Sequence, residues 1–198
     1  MARASREQAE KHREAIEQAS SKLFRERGLN GVSVAELMGG AGLTHGGFYG
    51  HFSSKDELAA LACKRAFEES ARRWSRRLER AGGDQHAMRS SLVEPYLTLA
   101  HCTNPGDGCA AVALAGDIAR EPADKPVRQV YIDGFKHMVD DWMKTVGHAD
   151  PAERRKLALA QLATLVGAMT IARATEGDAL AEDMLAAARE MLLGPLAQ

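Results

Sequence analysis

Between Thr44 and Lys55 the chain runs Thr44-His45-Gly46-Gly47-Phe48-Tyr49-Gly50-His51-Phe52-Ser53-Ser54-Lys55, gathering hydroxyls, two imidazoles, a phenol and an ammonium around three glycines. No nucleophile, base and orienting group stand at a spacing that supports covalent or acid–base catalysis. No glycine loop follows a strand to cradle a nucleotide. What remains is a set of donors suited to anions. Thr44 offers a hydroxyl and backbone N–H groups to a phosphate, and His45 suits a base edge or a phosphate. Lys55 falls in the first turn of an expected helix, where free N–H groups and the positive end of the dipole already attract an anion. Each glycine costs a helix about 0.8–1 kcal/mol against alanine. A stretch so poor in helix formers makes sense where backbone must come close to a nucleic-acid surface.

Positioning such groups falls to the segments around them. Ser33-Val34-Ala35-Glu36 and Ser54-Lys55-Asp56-Glu57 are both S-x-x-E capping boxes, so helices are expected to start near Ser33 and near Ser54. Gly39-Gly40-Ala41-Gly42 breaks the first of these, and Thr44 is placed to cap a short helix through Phe52. Residues 34–53 therefore have helix-turn-helix spacing, with Gly42 at the turn and Leu43 buried behind it. A major groove about 12 Å wide admits one α-helix, and a second helix must hold it at a fixed angle. An earlier helix, from about Ser5 to Arg27, carries Ile16, Ala19, Leu23 and Phe24 on one face and ends at Gly28. Its apolar side is expected to share a small core with Val34, Leu37, Leu43, Phe48 and Phe52.

Helix signals continue to the end, and no stretch shows the period-2 alternation of a strand. A long helix follows Ser54 to about Ala81. Further helices are expected over roughly 86–103, 108–120 and 124–147. Asp150-Pro151-Ala152-Glu153 combines an N-cap, a proline at the first helical position and a glutamate at the third, starting a helix to about Thr175. A last one begins at Asp178 and ends before Gly194. The fold class is all-α.

Composition narrows the function. The net charge is −1, but residues 1–80 carry 15 Lys+Arg against 11 Asp+Glu, and residues 81–198 carry 11 against 16. A mildly basic front and an acidic back suit a DNA-facing end joined to a part that faces elsewhere. The polar start lacks the apolar core of a signal peptide. The longest apolar run, Leu157 to Ala172, is interrupted by Gln161, Thr164 and Thr170 and is short for a bilayer. A cytoplasmic protein without a membrane partner is expected. Cys63, Cys102 and Cys109 are an odd set without metal-ligand spacing and are expected to be free thiols. Neither a metal nor a cofactor is expected.

The run from Ala15 to Leu58 resembles the DNA-binding region of tetracycline-repressor (TetR) family regulators. The matching pieces are Leu23-Phe24 with Gly28, Ser33-Val34-Ala35-Glu36-Leu37, Ala41-Gly42-Leu43-Thr44, and Phe48-Tyr49-Gly50-His51-Phe52 followed by Ser54-Lys55-Asp56-Glu57-Leu58. The resemblance implies that Tyr49 and His51 contact phosphates and that Lys55 meets the DNA backbone at the start of the next helix. Thr44, His45, Gly46 and Gly47 then approach bases and nearby phosphates, and Ser33 belongs to the same DNA-binding set. Gly39-Gly40 and Gly50 depart from the family pattern, which favours charged or alanine-like residues at the first two and a basic residue at the third. A helix-turn-helix DNA-binding domain over 10–70 is implied, with a larger helical effector-binding and dimerisation domain over 71–198. The implied function is a non-enzymatic repressor that binds a palindromic double-stranded operator as a homodimer and is released by a small-molecule effector.

The back half supports that architecture independently. Leu157–Ala172 is apolar nearly all round, which in a soluble protein means burial on several sides. Ala160, Thr164, Gly167 and Ala168 are small enough to let another helix approach. Met184, Leu185, Ala188, Met191 and Leu192 give the last helix an apolar face, so these two helices and their symmetry mates are expected to form the dimer interface. For an effector pocket the candidates are Tyr96, Leu99 and Cys102, then Tyr131, Phe135, Met138 and Trp142, with Met169. The same aromatic and methionine stripe also reads as plain core. Cys109 follows Gly108 in a way loosely similar to TetR regulators that sense electrophiles through a thiol, so a redox-sensing repressor of the same fold is the alternative. A small all-α enzyme has less to support it. The arginines 72, 73, 76, 77 and 80 suit a solvated helix face or a more distant phosphate contact.

Overall fold

A computed structural model describes residues 2–194, all helix, turn and loop with no strand among them. In chain order the α-helices are α1 (Ala2–Arg27), α2 (Val34–Gly40), α3 (Lys55–Arg80), α4 (Gln85–Tyr96), α5 (Leu99–Cys102), α6 (Ala110–Arg120), α7 (Pro126–Met143), α8 (Pro151–Ala174) and α9 (Ala179–Leu193). Two short 3-10 helices lie at His45–Gly50 and Pro105–Asp107. The all-α class stands. Three boundaries differ from the expectation. The segment expected over 86–103 is two helices: α4 keeps Pro95 in its last turn and runs to Tyr96, and Leu97 and Thr98 then leave helical geometry. The helix expected to reach Gly147 stops at Met143. The stretch after Thr44 winds as a 3-10 rather than an α-helix, a tighter form used in short pieces.

The helices group into two compact units. The first takes in residues up to Glu68 together with Pro105–Gly134, and the second takes in Glu69–Asn104 with Phe135 onward. Residues 105–134 group with the N-terminal helices.

In the first unit Ile16 and Phe24 of α1, Leu37 and Met38 of α2, and Phe48, Phe52 and Leu58 are all essentially inaccessible to solvent. Large apolar side chains contribute about 1.5–3 kcal/mol each on full burial. Leu23, Val34 and Leu43, also expected in this core, are half-buried. Gly40 lets α2 lie against α1, since a Cβ there would sit 3.0 Å from Leu23 Cδ1. The later residues of the unit join through polar contacts. Arg25, buried on α1, donates from Nη1 to the Gly108 carbonyl at 2.9 Å. The Leu29 N–H donates to Asp117 Oδ2 at 2.9 Å, and Asn30 Nδ2 to Glu121 Oε1 at 3.0 Å.

In the second unit α8 and α9 pack on each other, α4 on α9, and α5 on α8. Asp150 and Asp178 cap α8 and α9 as their spacing predicts. The whole of α8, longer than its apolar run, has the length and composition of a membrane span. Of its residues Ala158, Leu162, Leu165, Ala168, Met169 and Ala172 are buried within the protein, while Leu159 and Ile171 are exposed.

Candidate nucleic-acid interface

The site begins at a cap. Ser33 takes extended backbone angles, and its Oγ accepts from the Glu36 N–H at 3.3 Å. The Glu36 carboxylate accepts in return from the Ser33 N–H at 2.8 Å and Oγ at 2.7 Å. Those bonds hold Glu36 below the usual carboxylate range, with Arg27 assisting at 2.9 Å. The Ser33 hydroxyl is thus engaged within the fold. At the end of α2, Gly42 turns the chain at φ +72°, a conformation that favours glycine.

Beyond the turn, Phe48 is the anchor. Its buried ring lies 5.7 Å from that of Phe52, and its neighbours Thr44, His45, Gly46, Gly47, Tyr49 and Gly50 are all exposed. Tyr49 is 74% exposed, held edge-on to Phe48 at 5.2 Å with its phenol directed away from the core. The Thr44 side chain makes no capping bond, which leaves its hydroxyl available. A Cβ on Gly46 or Gly50 would meet nothing within 4 Å. Packing inside the chain therefore gives no reason for glycine at either position.

His51 is half-buried, its ring 6.1 Å from that of His12. Lys55 opens α3 with its Nζ 6.0 Å from the centroid of Phe24, and among the described residues it pairs with no carboxylate. The box expected at Ser54 forms in altered shape. Ser54 Oγ accepts from the Glu57 N–H at 3.1 Å, but the Glu57 carboxylate reaches one residue further back, accepting from Ser53 N–H at 2.8 Å and Ser53 Oγ at 2.7 Å. Arg13, which sequence reasoning missed, closes the corner. It pairs with Glu57 at 3.1 Å, donates to the His51 carbonyl and stacks 4.4 Å from the Phe52 centroid. These partners pull Glu57 down to about 2, the Ser53 hydroxyl contributing most. Nothing in the sequence within ten residues of Phe52 marks Arg13, because the contact spans α1 and α3.

The other candidates fall as follows. In the second unit Tyr96, Cys102, Met138, Trp142 and Met169 are buried, Phe135 is half-buried and Leu99 is exposed. Trp142 donates from Nε1 to Gln161 Oε1 at 2.9 Å and lies 5.8 Å from Trp74, an aromatic that no sequence signal singles out. The same holds for His101, whose ring sits 4.6 Å from Tyr96 while Nδ1 bonds the Tyr96 carbonyl at 2.7 Å. Burial holds this imidazole below its ordinary range. Tyr131 belongs to the first unit. Its hydroxyl donates to the Ala111 carbonyl at 2.9 Å, its ring lies against Phe67, and burial raises its phenol.

Of the interface candidates, Ala168, Leu185, Ala188 and Leu192 are buried within this chain, Thr164, Gly167 and Met184 are half-buried, and Ala160 and Met191 are exposed. Leu159, Ile171 and Leu180 join them on the surface, which periodicity alone did not separate from the buried face. Among the described residues the three cysteines form no disulfide, and all three are buried. Burial pushes Cys63 up to about 12 and raises Cys102 as well. Among the described residues no cluster of His, Cys, Asp and Glu could hold a metal ion.

A short helix, a glycine turn and a second short helix with exposed outer residues make up a helix-turn-helix motif. Residues 16–62 match the family model described as bacterial regulatory proteins, tetR family. Over 150 residues the chain is 27% identical to the HTH-type transcriptional repressor DhaR of Mycobacterium sp. (strain GP1), covering 74% of this chain and 72% of that protein. The fold is shared with a TetR-family regulator from Cytophaga hutchinsonii (TM-score 0.78, 18% identity, 96% of this chain and 98% of that one). It is shared also with the reduced form of E. coli NemR (TM-score 0.73, 20% identity, 94% and 100%). Residues 16–62 thus resemble the DNA-binding region of the tetR family, and the chain shares the fold of TetR-family regulators.

Proposed function

We propose that the protein is a repressor that binds a palindromic operator as a homodimer in the cytoplasm and is released by a small effector. One observation carries the DNA-binding mode: Phe48 is fully buried while its neighbours at 44–47 and 49–50 are exposed. That arrangement fixes the backbone of the segment while leaving its outer side for the groove. Thr44 and Tyr49 supply hydroxyls and Lys55 an ammonium to phosphates, and His45 reaches toward a base edge or phosphate. His51 acts from the rim. Gly46 and Gly47 let the helix approach closely. Such contacts position the protein, and base contacts then specify the sequence.

Dimerisation through α8 and α9 is supported by their exposed apolar residues, Leu159, Ile171, Leu180 and Met191. Two recognition segments must stand about 34–36 Å apart to read successive major grooves. Release by an effector requires a ligand that favours one of two conformations by its differential affinity. The aromatic and methionine residues of the second unit, the half-buried Phe135 and the buried Tyr96, Met138, Trp142 and Met169, are the proposed lining for an apolar ligand. The thiol-sensing alternative gains nothing from burial of Cys63, Cys102 and Cys109.

The test is selection of genomic fragments by the purified protein, with and without candidate metabolites. Recovery of a two-fold symmetric motif whose half-sites lie one helical turn apart supports the reading. Fragments enriched without any symmetric motif contradict it.

A further inference from the structure

Arg89 occupies a position unlike that of any other arginine described. It stands on α4 among the buried Met88, Leu92 and Val93, and is itself only 7% exposed. Among the described residues it has no ion pair, and its Nε has no hydrogen-bond acceptor. Burial pulls its pKa down with no neighbouring carboxylate opposing the shift. Arginine nonetheless stays charged in proteins, so it cannot relieve the burial by losing its proton. A buried Nε without an acceptor costs the desolvation penalty of that donor, and buried donors are ordinarily paired.

The surroundings define what would complete it. α4 packs on α9, where the His86 ring lies 3.3 Å from the Leu193 carbonyl and Arg189 Nη2 donates to the Leu97 carbonyl at 2.6 Å. The Nε of Arg189 is also buried without a partner. The acidic residues of the two helices, Glu94 on α4 and Glu182, Asp183 and Glu190 on α9, are all solvent-facing rather than buried at the seam. Arg89 on α4 and Arg189 on α9, two helices in contact, thus each carry a buried Nε without an acceptor, while every carboxylate of the two helices faces solvent.

We propose that Arg89 is the counterion of a small monocarboxylate with an apolar body, bound at the seam of α4 and α9. A guanidinium matches the two oxygens of a carboxylate with paired, parallel hydrogen bonds. One negative charge neutralises Arg89, whereas a phosphate dianion would bury an excess charge among Met88, Leu92 and Val93. This site does not depend on the operator-binding reading, because its occupancy is read on the protein alone.

The experiment is calorimetric titration of the full chain with sodium octanoate at constant ionic strength, with octanamide and inorganic phosphate as separate arms. Octanoate is expected to bind at one site per chain, and octanamide and phosphate to bind at least tenfold more weakly, the equivalent of removing one charge-assisted hydrogen bond. Arg89→Met, which keeps the apolar bulk and removes the charge, is expected to weaken octanoate by a similar factor. Arg89→Lys keeps the charge without the planar fork, so it is expected to bind with intermediate affinity and decides the matter if the methionine variant does not fold. Octanoate binding that is unchanged in Arg89→Lys and Arg89→Met, equal binding of phosphate, or no octanoate binding at all would overturn the proposal.

Discussion

Arg13 of α1 and Glu57 of α3 meet at 3.1 Å, beside the carbonyl of His51 and over the ring of Phe52. This pair fixes where the 3-10 segment ends relative to the first turn of α3, and hence the spacing between Tyr49 and Lys55. The pair is about one-third exposed on each side, so its Coulombic share of stability is small. The bond to His51 and the contact with Phe52 add to it. Arg13→Gln is expected to lower stability by about 1 kcal/mol, seen as a lower urea midpoint at unchanged slope. Its DNA affinity should fall further than stability alone explains, since the segment loses its end restraint.

Glu57 gives the same corner a pH dependence. Its folded-state value is depressed from 4.5 to about 2, so the stability it contributes is fully present above about 4.5. That stability disappears as pH falls from about 4.5 toward 2, because the unfolded chain takes up the proton first. Thermal melts of the wild type should decline through this window more steeply than those of Glu57→Gln. Parallel pH profiles would refute the assignment.

Gly134 on α7 has a packing reason that its sequence neighbours do not disclose. A Cβ there would lie 2.4 Å from Phe67 Cγ and 2.5 Å from Cδ2. Phe67 is buried and lies edge-on to Tyr131 at 5.4 Å, so its ring has little freedom to yield. Gly134→Ala is expected to destabilise by about 1–3 kcal/mol through overpacking, despite alanine's better helix propensity. A melting temperature equal to or above the wild type's would contradict this.

The thiols supply a chemical test. With Cys63 raised to about 12 by burial and Cys102 raised too, native protein at pH 8 should leave both unalkylated by iodoacetamide over a time that modifies them fully in urea. Peptide mass spectrometry distinguishes the positions. Rapid native labelling of either would show that the burial is not maintained in solution.

Local chemistry made much of the fold legible in the sequence. Ser33 with Glu36, Asp150 with Pro151, and Asp178 each mark a helix start within a few residues, and the alternation of Phe48 with its polar neighbours separates an anchored side from an exposed one. Contacts between distant segments were not legible. Arg13 with Glu57, Arg25 with the Gly108 carbonyl, and Asp117 with the Leu29 N–H join residues from 44 to 88 positions apart. Periodicity also fails on α8, where apolar residues occupy buried and exposed faces alike, so Leu165 and Leu159 look the same in sequence. The break at Leu97 is hidden for a related reason: apolar residues continue past Pro95 at helical spacing, and only the backbone bonding shows where the helix ends.

Tyr49 offers the cleanest separation of binding from folding. At 74% exposure it contributes little to the core. Tyr49→Ala is expected to leave the helical circular-dichroism spectrum and the melting temperature unchanged while lowering operator affinity about a hundredfold, as for two hydrogen bonds to charged phosphates, one from each protomer. A fall in melting temperature of more than a few degrees would place its ring in the core instead.

Most direct of all is fluorescence anisotropy of a labelled operator fragment, titrated with the protein at a series of salt concentrations. Log affinity is expected to fall linearly with log salt. Lys55→Gln should make that slope shallower by about 1.8, the change expected when two phosphates, one for each protomer of the homodimer, are no longer neutralised. Binding that ignores salt, or a slope identical in wild type and Lys55→Gln, would contradict the placement of this surface on DNA.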